Sequence, residues 1–195
     1  MIHPSTVLQF ISDEIGYGVV AKERIPKGTI TWVQDELDIV ITPSKLDEMS
    51  PIYQKTLDYY TFRNHEGNYI LCWDHAKFVN HSFKSNCLTT PYDFEIAIRD
   101  IEVGEELTDD YGYLNIAKPF RAADEGTKRK TVYPDDLLKY HHKWDKLIKG
   151  AFFEIGNLPQ PLFEIFSKEA LEQVHGILEG KEELISILHC YYPTK

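Results

Sequence analysis

The first half of the chain consists of short β-branched and aromatic runs that Gly, Pro, Asp and Lys interrupt every few residues. Residues 6–10, 19–21, 28–33 and 38–41 have the length and composition of strands, and Pro26-Lys27-Gly28 supplies turn chemistry between two of them. Strand character returns at 69–72 and 94–98. Between these groups a helix is predicted to start near Ser44, which can cap it, with Asp47 three positions on. Leu46, Met49, Tyr53 and Leu57 follow at helical spacing, and Pro51 confines or divides that helix. Beyond about Tyr133 the period changes. Leu137, Leu138, Tyr140, Trp144, Leu147 and Ile148 form an apolar stripe of helical repeat that Gly150 is expected to end. A second helix is predicted from Ser167 to Gly180 and a third over about 181–191. Residues 118–130 are polar, basic and aperiodic, and read as a loop.

A chain of 195 residues, 43% hydrophobic, can bury a core as one domain with a modest appendage. No run approaches the roughly 20 apolar residues that span a bilayer, and residues 1–5 do not begin a signal peptide. Cys72, Cys87 and Cys190 are too scattered for a disulfide framework, so a reducing, intracellular setting is expected, cytoplasmic or nuclear. The net charge of −10 disfavours direct binding to nucleic acid, which needs cations to neutralise phosphates. Acidity concentrates at 93–110, where Arg99 stands alone among eight acidic residues. That stretch reads as a solvated face, with a docking groove for basic peptide as the alternative.

Three segments carry chemistry. Gly16-Tyr17-Gly18 lies between strand-like runs, where two glycines let the backbone turn or approach a ligand. Taken alone it is an ordinary tight turn. Residues 78–87 cluster Asn80, His81, Ser82 and Asn86 after an apolar run, a dense set of donors and acceptors that a capped turn also uses. Residues 101–113 carry Gly104-Glu105-Glu106-Leu107-Thr108 and then Tyr111, alone an acidic hairpin ending in a core tyrosine.

Together, in this order, Gly16-Tyr17-Gly18, Asn80-His81-Ser82, Asn86-Cys87, Gly104 to Thr108 and Tyr111 resemble the SET-domain protein-lysine methyltransferases over residues 6–115. The resemblance implies a mainly β fold of several small sheets with a knot-like crossing, in which the segment ending in Tyr111 passes through a loop formed by the Asn-His segment. It implies a SET domain at 1–118 with a helical insert at about 44–60, and a helical C-terminal extension at 119–195 that packs on the SET core. It implies S-adenosylmethionine as cofactor, with Gly16, Tyr17 and Gly18 along it largely through backbone contacts, Asn80 at its amino-acid end and His81 at its adenine through main-chain groups. Tyr111 would stand between the sulfonium and the lysine nitrogen as the catalytic residue. Tyr113, Phe83 and Asp109 would line the lysine channel, with Tyr17 and Tyr111 as further walls and Phe78 supporting from the core. The expected partner is a protein with an accessible lysine, basic in character and with histones in view.

The pattern also departs from the family. Only Cys190 follows Tyr111, so the cysteine-rich zinc cluster of many relatives is missing and the C-terminal helices are the expected substitute. Among Phe120, Tyr133, Tyr140 and Trp144, core packing is a commoner fate than covering the adenine. Asp109 occupies a position where many relatives use an aromatic residue to set the number of methyl groups, and Thr89 does not supply one. An acid there is placed to hold the substrate ammonium. Cys72-Trp73-Asp74-His75 lacks the second ligand pair of a structural zinc site, so no metal is expected. Gly16-Tyr17-Gly18 leads into a strand rather than a helix, unlike a Rossmann loop. The rival from another class is a SET-like module that binds peptide without catalysis.

Overall fold

The computed structural model describes residues 1–193. β1 (Thr6–Ser12) and β2 (Gly16–Ala21) form an antiparallel hairpin with a bulge between Phe10 and Ser12. Gly16 takes φ +83° at its turn, a conformation that favours glycine. β3 (Ile30–Val33), β9 (Phe94–Ala97) and β8 (Cys87–Thr89) make one three-stranded antiparallel sheet in that order. β4 (Ile39–Ile41), β6 (Tyr69–Leu71) and β5 (Thr61–Arg63) make another. β7 (Asn80–His81) and β10 (Thr108–Asp109) pair in parallel. β11 (Phe120–Arg121) and β12 (Thr131–Val132) close the basic stretch read as a loop into a small antiparallel ribbon.

Four α-helices complete the described residues. The helix expected from Ser44 is two helices, α1 (Pro43–Asp47) and α2 (Pro51–Tyr60). Thr42, not Ser44, caps the first, its hydroxyl accepting from the Lys45 amide at 3.2 Å. Pro51 opens the second at a position where its missing N–H costs nothing. α3 (Asp136–Phe152) runs through Gly150, because Ala151 and Phe152 continue the buried face of Leu137, Trp144 and Ile148. α4 (Lys168–Leu178) is capped by Ser167, which accepts from the Ala170 amide at 3.1 Å, and Gly180 follows it at φ +72°. The third expected helix is absent. Only a 3-10 turn at Ile187–Cys190 forms, because Asp145 accepts from Ser186 Oγ at 2.7 Å and the Ile187 amide at 2.8 Å and pins the segment in place.

The central strand β9 divides two hydrophobic clusters. Phe94 and Ile96 join Ile30 and Leu88 against Leu137, Trp144, Ile148 and Phe152 of α3 and Val174 and Ile177 of α4. Ala97 joins Trp32, Cys87, Val19, Ile25, Ile101 and Leu107 in the second cluster. Burying side chains of this size stabilises by about 1.5–3 kcal/mol each. The acidic stretch is not one solvated face. Asp100 pairs with Arg24 and Glu105 with Arg99 at the surface, but Asp109 and Asp110 are buried. Among the described residues no helix is long and apolar enough to cross a membrane.

Candidate active site

Two segments distant in sequence are zipped together at the site. Thr108 pairs with Asn80 and Asp109 with His81 in the parallel ladder. The Ser82 amide donates to the Asp109 carbonyl at 2.8 Å, and the Tyr111 amide to His81 Nδ1 at 3.1 Å. Tyr111 donates its hydroxyl to the Val79 carbonyl at 2.6 Å. Asp110 caps the 3-10 turn at Tyr111–Tyr113, accepting from the Gly112 amide at 3.0 Å. Burial, with Asp109, Glu95 and Glu106 nearby, pushes the Tyr111 phenol well above its ordinary range, so it stays a neutral hydroxyl.

The hairpin supplies the other wall. Asn80 Nδ2 donates to the Tyr17 carbonyl at 3.0 Å and to Glu106 Oε1 at 2.6 Å. A side chain on Gly18 would run into the Glu106 carboxylate and Ile11, so glycine is required there for space. Glu106 was not singled out by sequence reasoning, although it lies in the Gly-Glu-Glu-Leu-Thr run. Its bridge to Val20 turns one of two adjacent acids into the site. Tyr17 is 53% exposed, its ring edge-on to Phe10 and Phe78. The structure thus brings Gly16, Tyr17, Gly18, Asn80, His81 and Tyr111 into one neighbourhood.

The expected channel residues divide. Tyr113 is 1% exposed, packs edge-on to Trp144, and donates to Asp109 Oδ1 at 2.8 Å and the Cys87 carbonyl at 3.2 Å. It borders a cavity of about 190 Å³ together with Trp32, Phe62, Thr89 and Asn115. Phe83 is not brought to that cavity. It sits across the His81 ring at 4.5 Å, and the Arg129 guanidinium lies over its face at 4.7 Å and holds it there.

Arg129, also missed in sequence, is the fastener of the site. It pairs with Asp110 and, at 2.5 Å, with Asp136 at the start of α3, and it stacks on Tyr140. Of the four aromatic residues weighed above, only Phe120 stands beside His81, at 5.5 Å between rings. Trp144 is core, Tyr140 packs on Arg129, and Tyr133 is exposed. Cys72 is buried, and His75 Nε2 meets the Thr6 hydroxyl at 2.9 Å. Among the described residues no three His, Cys, Asp or Glu side chains converge as metal ligands.

No curated protein is significantly similar to the chain in sequence. Among solved structures, a candidate histone methyltransferase of Plasmodium falciparum is 18% identical with a TM-score of 0.40, over 56% of this chain and 95% of that one. The SET domain family model matches residues 16–112, the stretch that holds the hairpin glycines, the Asn-His ladder and Tyr111. The chain is therefore a SET-domain protein, its match covering residues 16–112.

Proposed function

We propose that this protein transfers a methyl group from S-adenosylmethionine to lysine side chains of a protein substrate. The observation that carries the reading is the parallel ladder that sets Asn80 and His81 against Tyr111 beside Gly16-Tyr17-Gly18, inside a SET domain. The polar groups suit the cofactor. Its amino-acid end carries an ammonium that needs acceptors; the Glu106 carboxylate and the Tyr17 carbonyl, held together by the two hydrogens of the Asn80 amide, supply them. His81 accepts from the Tyr111 amide through Nδ1, which leaves a hydrogen on Nε2, and that atom is buried with no partner among the Phe83 and Phe120 rings. An orphan donor in an aromatic box suits a purine nitrogen. Burial also holds His81 below its ordinary pKa, hence neutral.

When bound, S-adenosylmethionine supplies an electrophilic methyl group on a sulfonium. The protein contributes alignment and a neutral amine. Orienting two bound reactants lowers the barrier by about 7–11 kcal/mol. Neutralising a lysine of pKa about 10.4 at neutral pH costs about 4–5 kcal/mol, which apolar surroundings reduce. Tyr111 donates to Val79, so its oxygen lone pairs remain free to accept from the amine and orient its nitrogen. The same reading includes the knot-like crossing, a boundary between SET domain and helical extension near residue 118, and a basic protein partner, histones among those to test.

Calorimetric titration of the purified protein with S-adenosylmethionine tests the cofactor site. Binding to the native chain, weakened about tenfold in Asn80→Ala, which releases the Glu106 carboxylate and the Tyr17 carbonyl from each other, is the expected result. Absence of binding to the native chain contradicts it and favours a peptide-binding module.

A further inference from the structure

Two cavities meet at the turn between β8 and β9, where Pro91 and Asp93 line both. The narrower, about 190 Å³, is the one that Tyr113 borders. The wider, about 490 Å³, lies between the turn and α4. Asp93, Glu169, Glu172 and Glu182 line it, and none of its lining residues is a cation. The turn is held from several directions. Thr90 donates its amide and its hydroxyl to the Phe94 carbonyl, at 2.9 and 2.7 Å, and the Asp93 carbonyl accepts from the Gln34 amide at 2.8 Å. The Tyr92 hydroxyl accepts from the Ile185 amide at 2.9 Å, which ties the turn to the segment that follows α4. Asp93 stands exposed at φ +57°, a backbone state that aspartate enters more readily than most residues.

On the other wall, Gly176 is buried inside α4, where a glycine costs about 0.5–1 kcal/mol relative to alanine. A Cβ there would meet Glu182 Oε1 at 2.9 Å, so the glycine makes room for a carboxylate laid against the helix. The Lys181 and Glu182 amides both donate to the Gly176 carbonyl, at 2.8 and 3.1 Å, and fix that approach. Among the described residues Asp93, Glu169 and Glu182 have no ion-pair partner, and Glu172 has only Lys168 at 3.5 Å, an exposed pair that contributes little. Carboxylates gathered on a concave surface focus a negative potential and concentrate cations there. The narrow end has a different need. Trp32 borders it and is 4% exposed, and its indole Nε1 is buried with no acceptor among the described residues. An occupant of both cavities must bring cations to one end and an acceptor to the other. A basic polypeptide does both, with its side chains and its main-chain carbonyls.

We propose that the joined cavities dock a basic segment of a protein partner, with an arginine or lysine side chain among Asp93, Glu169, Glu172 and Glu182 and a main-chain carbonyl taking the Trp32 indole N–H. At about 30 Å³ per water, the wide cavity holds about sixteen non-hydrogen atoms, enough for a whole basic residue. None of these four carboxylates is among the residues assigned to methyl transfer, so the docking site goes beyond that reading and stands without it.

The test uses the full chain and fluorescein-labelled tetra-arginine amide, followed by anisotropy at about 0.1 M salt, where attraction between exposed charges more than about 10 Å apart is largely screened. The native chain should bind the probe saturably. Glu169→Gln, Glu172→Gln and Glu182→Gln combined, all at exposed positions, should weaken binding about tenfold. Asp13→Asn, Asp47→Asn and Asp58→Asn combined make the same change in net charge at exposed positions that line neither cavity, and should leave affinity within about twofold of native. Unlabelled acetyl-tetra-arginine amide should displace the probe at about one tenth of the concentration of spermine, which has nearly the same charge but no carbonyl. Absent binding, equal weakening in both triple variants, undiminished binding in the groove variant, or equal displacement by spermine overturns the proposal. Groove-dependent binding in a chain that binds no S-adenosylmethionine upholds the docking site and overturns the methyltransferase reading alone.

Discussion

Glu106 shows how much of the site depends on single carboxylates. It takes the Asn80 amide at 2.6 Å and fills the space that glycine leaves at position 18. Glu106→Gln keeps the shape and removes the charge. S-adenosylmethionine affinity in that variant should fall about tenfold while the melting temperature stays near native; unchanged affinity would remove Glu106 from the cofactor site. Asp109, buried, and its partly buried neighbour Glu95 make a prediction about pH. Burial, reinforced by each other's presence, raises both Glu95 and Asp109. A raised folded pKa means that the folded state binds more protons than the unfolded one, so this contribution to stability is present below the unfolded carboxyl value near 4 and is lost as pH rises. Urea midpoints of Glu95→Gln should therefore gain on the native chain as pH climbs from about 4, whereas a constant difference across pH would place the pair in ordinary solvated conditions. Asn80, His81 and Tyr111 were legible in sequence because their neighbours form a dense, ordered pattern. Glu95, Glu106 and Arg129 were not, because each acquires its role from a partner far along the chain.

At the scale of elements, α3 is fastened to the Tyr111 turn by one guanidinium. Arg129 compensates two carboxylates, Asp110 and Asp136, that are almost wholly buried. Arg129→Ala leaves both without a partner and should cost about 3–5 kcal/mol in urea unfolding. Lys139→Ala, which breaks an exposed pair with Asp135, should cost about 0–1 kcal/mol. Equal effects would mean that the buried triad does not hold the helix. The strands were readable from β-branched runs and turn residues, and α4 from Ser167 and Gly180. α3 was readable except at its end, where buried Ala151 and Phe152 outweigh the glycine before them. The stretch 181–191 has helical composition, but bonds to Asp145 and a short turn take its place. Periodicity could not report a contact with a side chain on another helix.

Across the whole molecule, the first hydrophobic cluster belongs to both halves of the chain. Ile30, Leu88, Phe94 and Ile96 on one side meet Leu137, Trp144, Ile148 and Phe152 on the other. Truncating the chain after residue 135 would expose that sheet face, and the truncated chain should lose its cooperative thermal transition and associate. A soluble fragment with a sharp transition would show instead that the SET portion carries a sufficient core. The helices do more than cover apolar strands, since through Arg129 they also hold Asp110 and the turn that aims Tyr111. The sequence pattern identified the site segments, but this shared core was legible only as an apolar stripe without a partner.

The most direct test of a lysine methyltransferase is transfer of labelled methyl from S-adenosylmethionine to core histones and to a whole-cell lysate, with Tyr111→Phe alongside. The account predicts label on lysine in at least one protein band, and loss of most of that label in Tyr111→Phe with cofactor binding retained. Label that persists at native rate in Tyr111→Phe, or binding of the cofactor with no label in any protein, would contradict it.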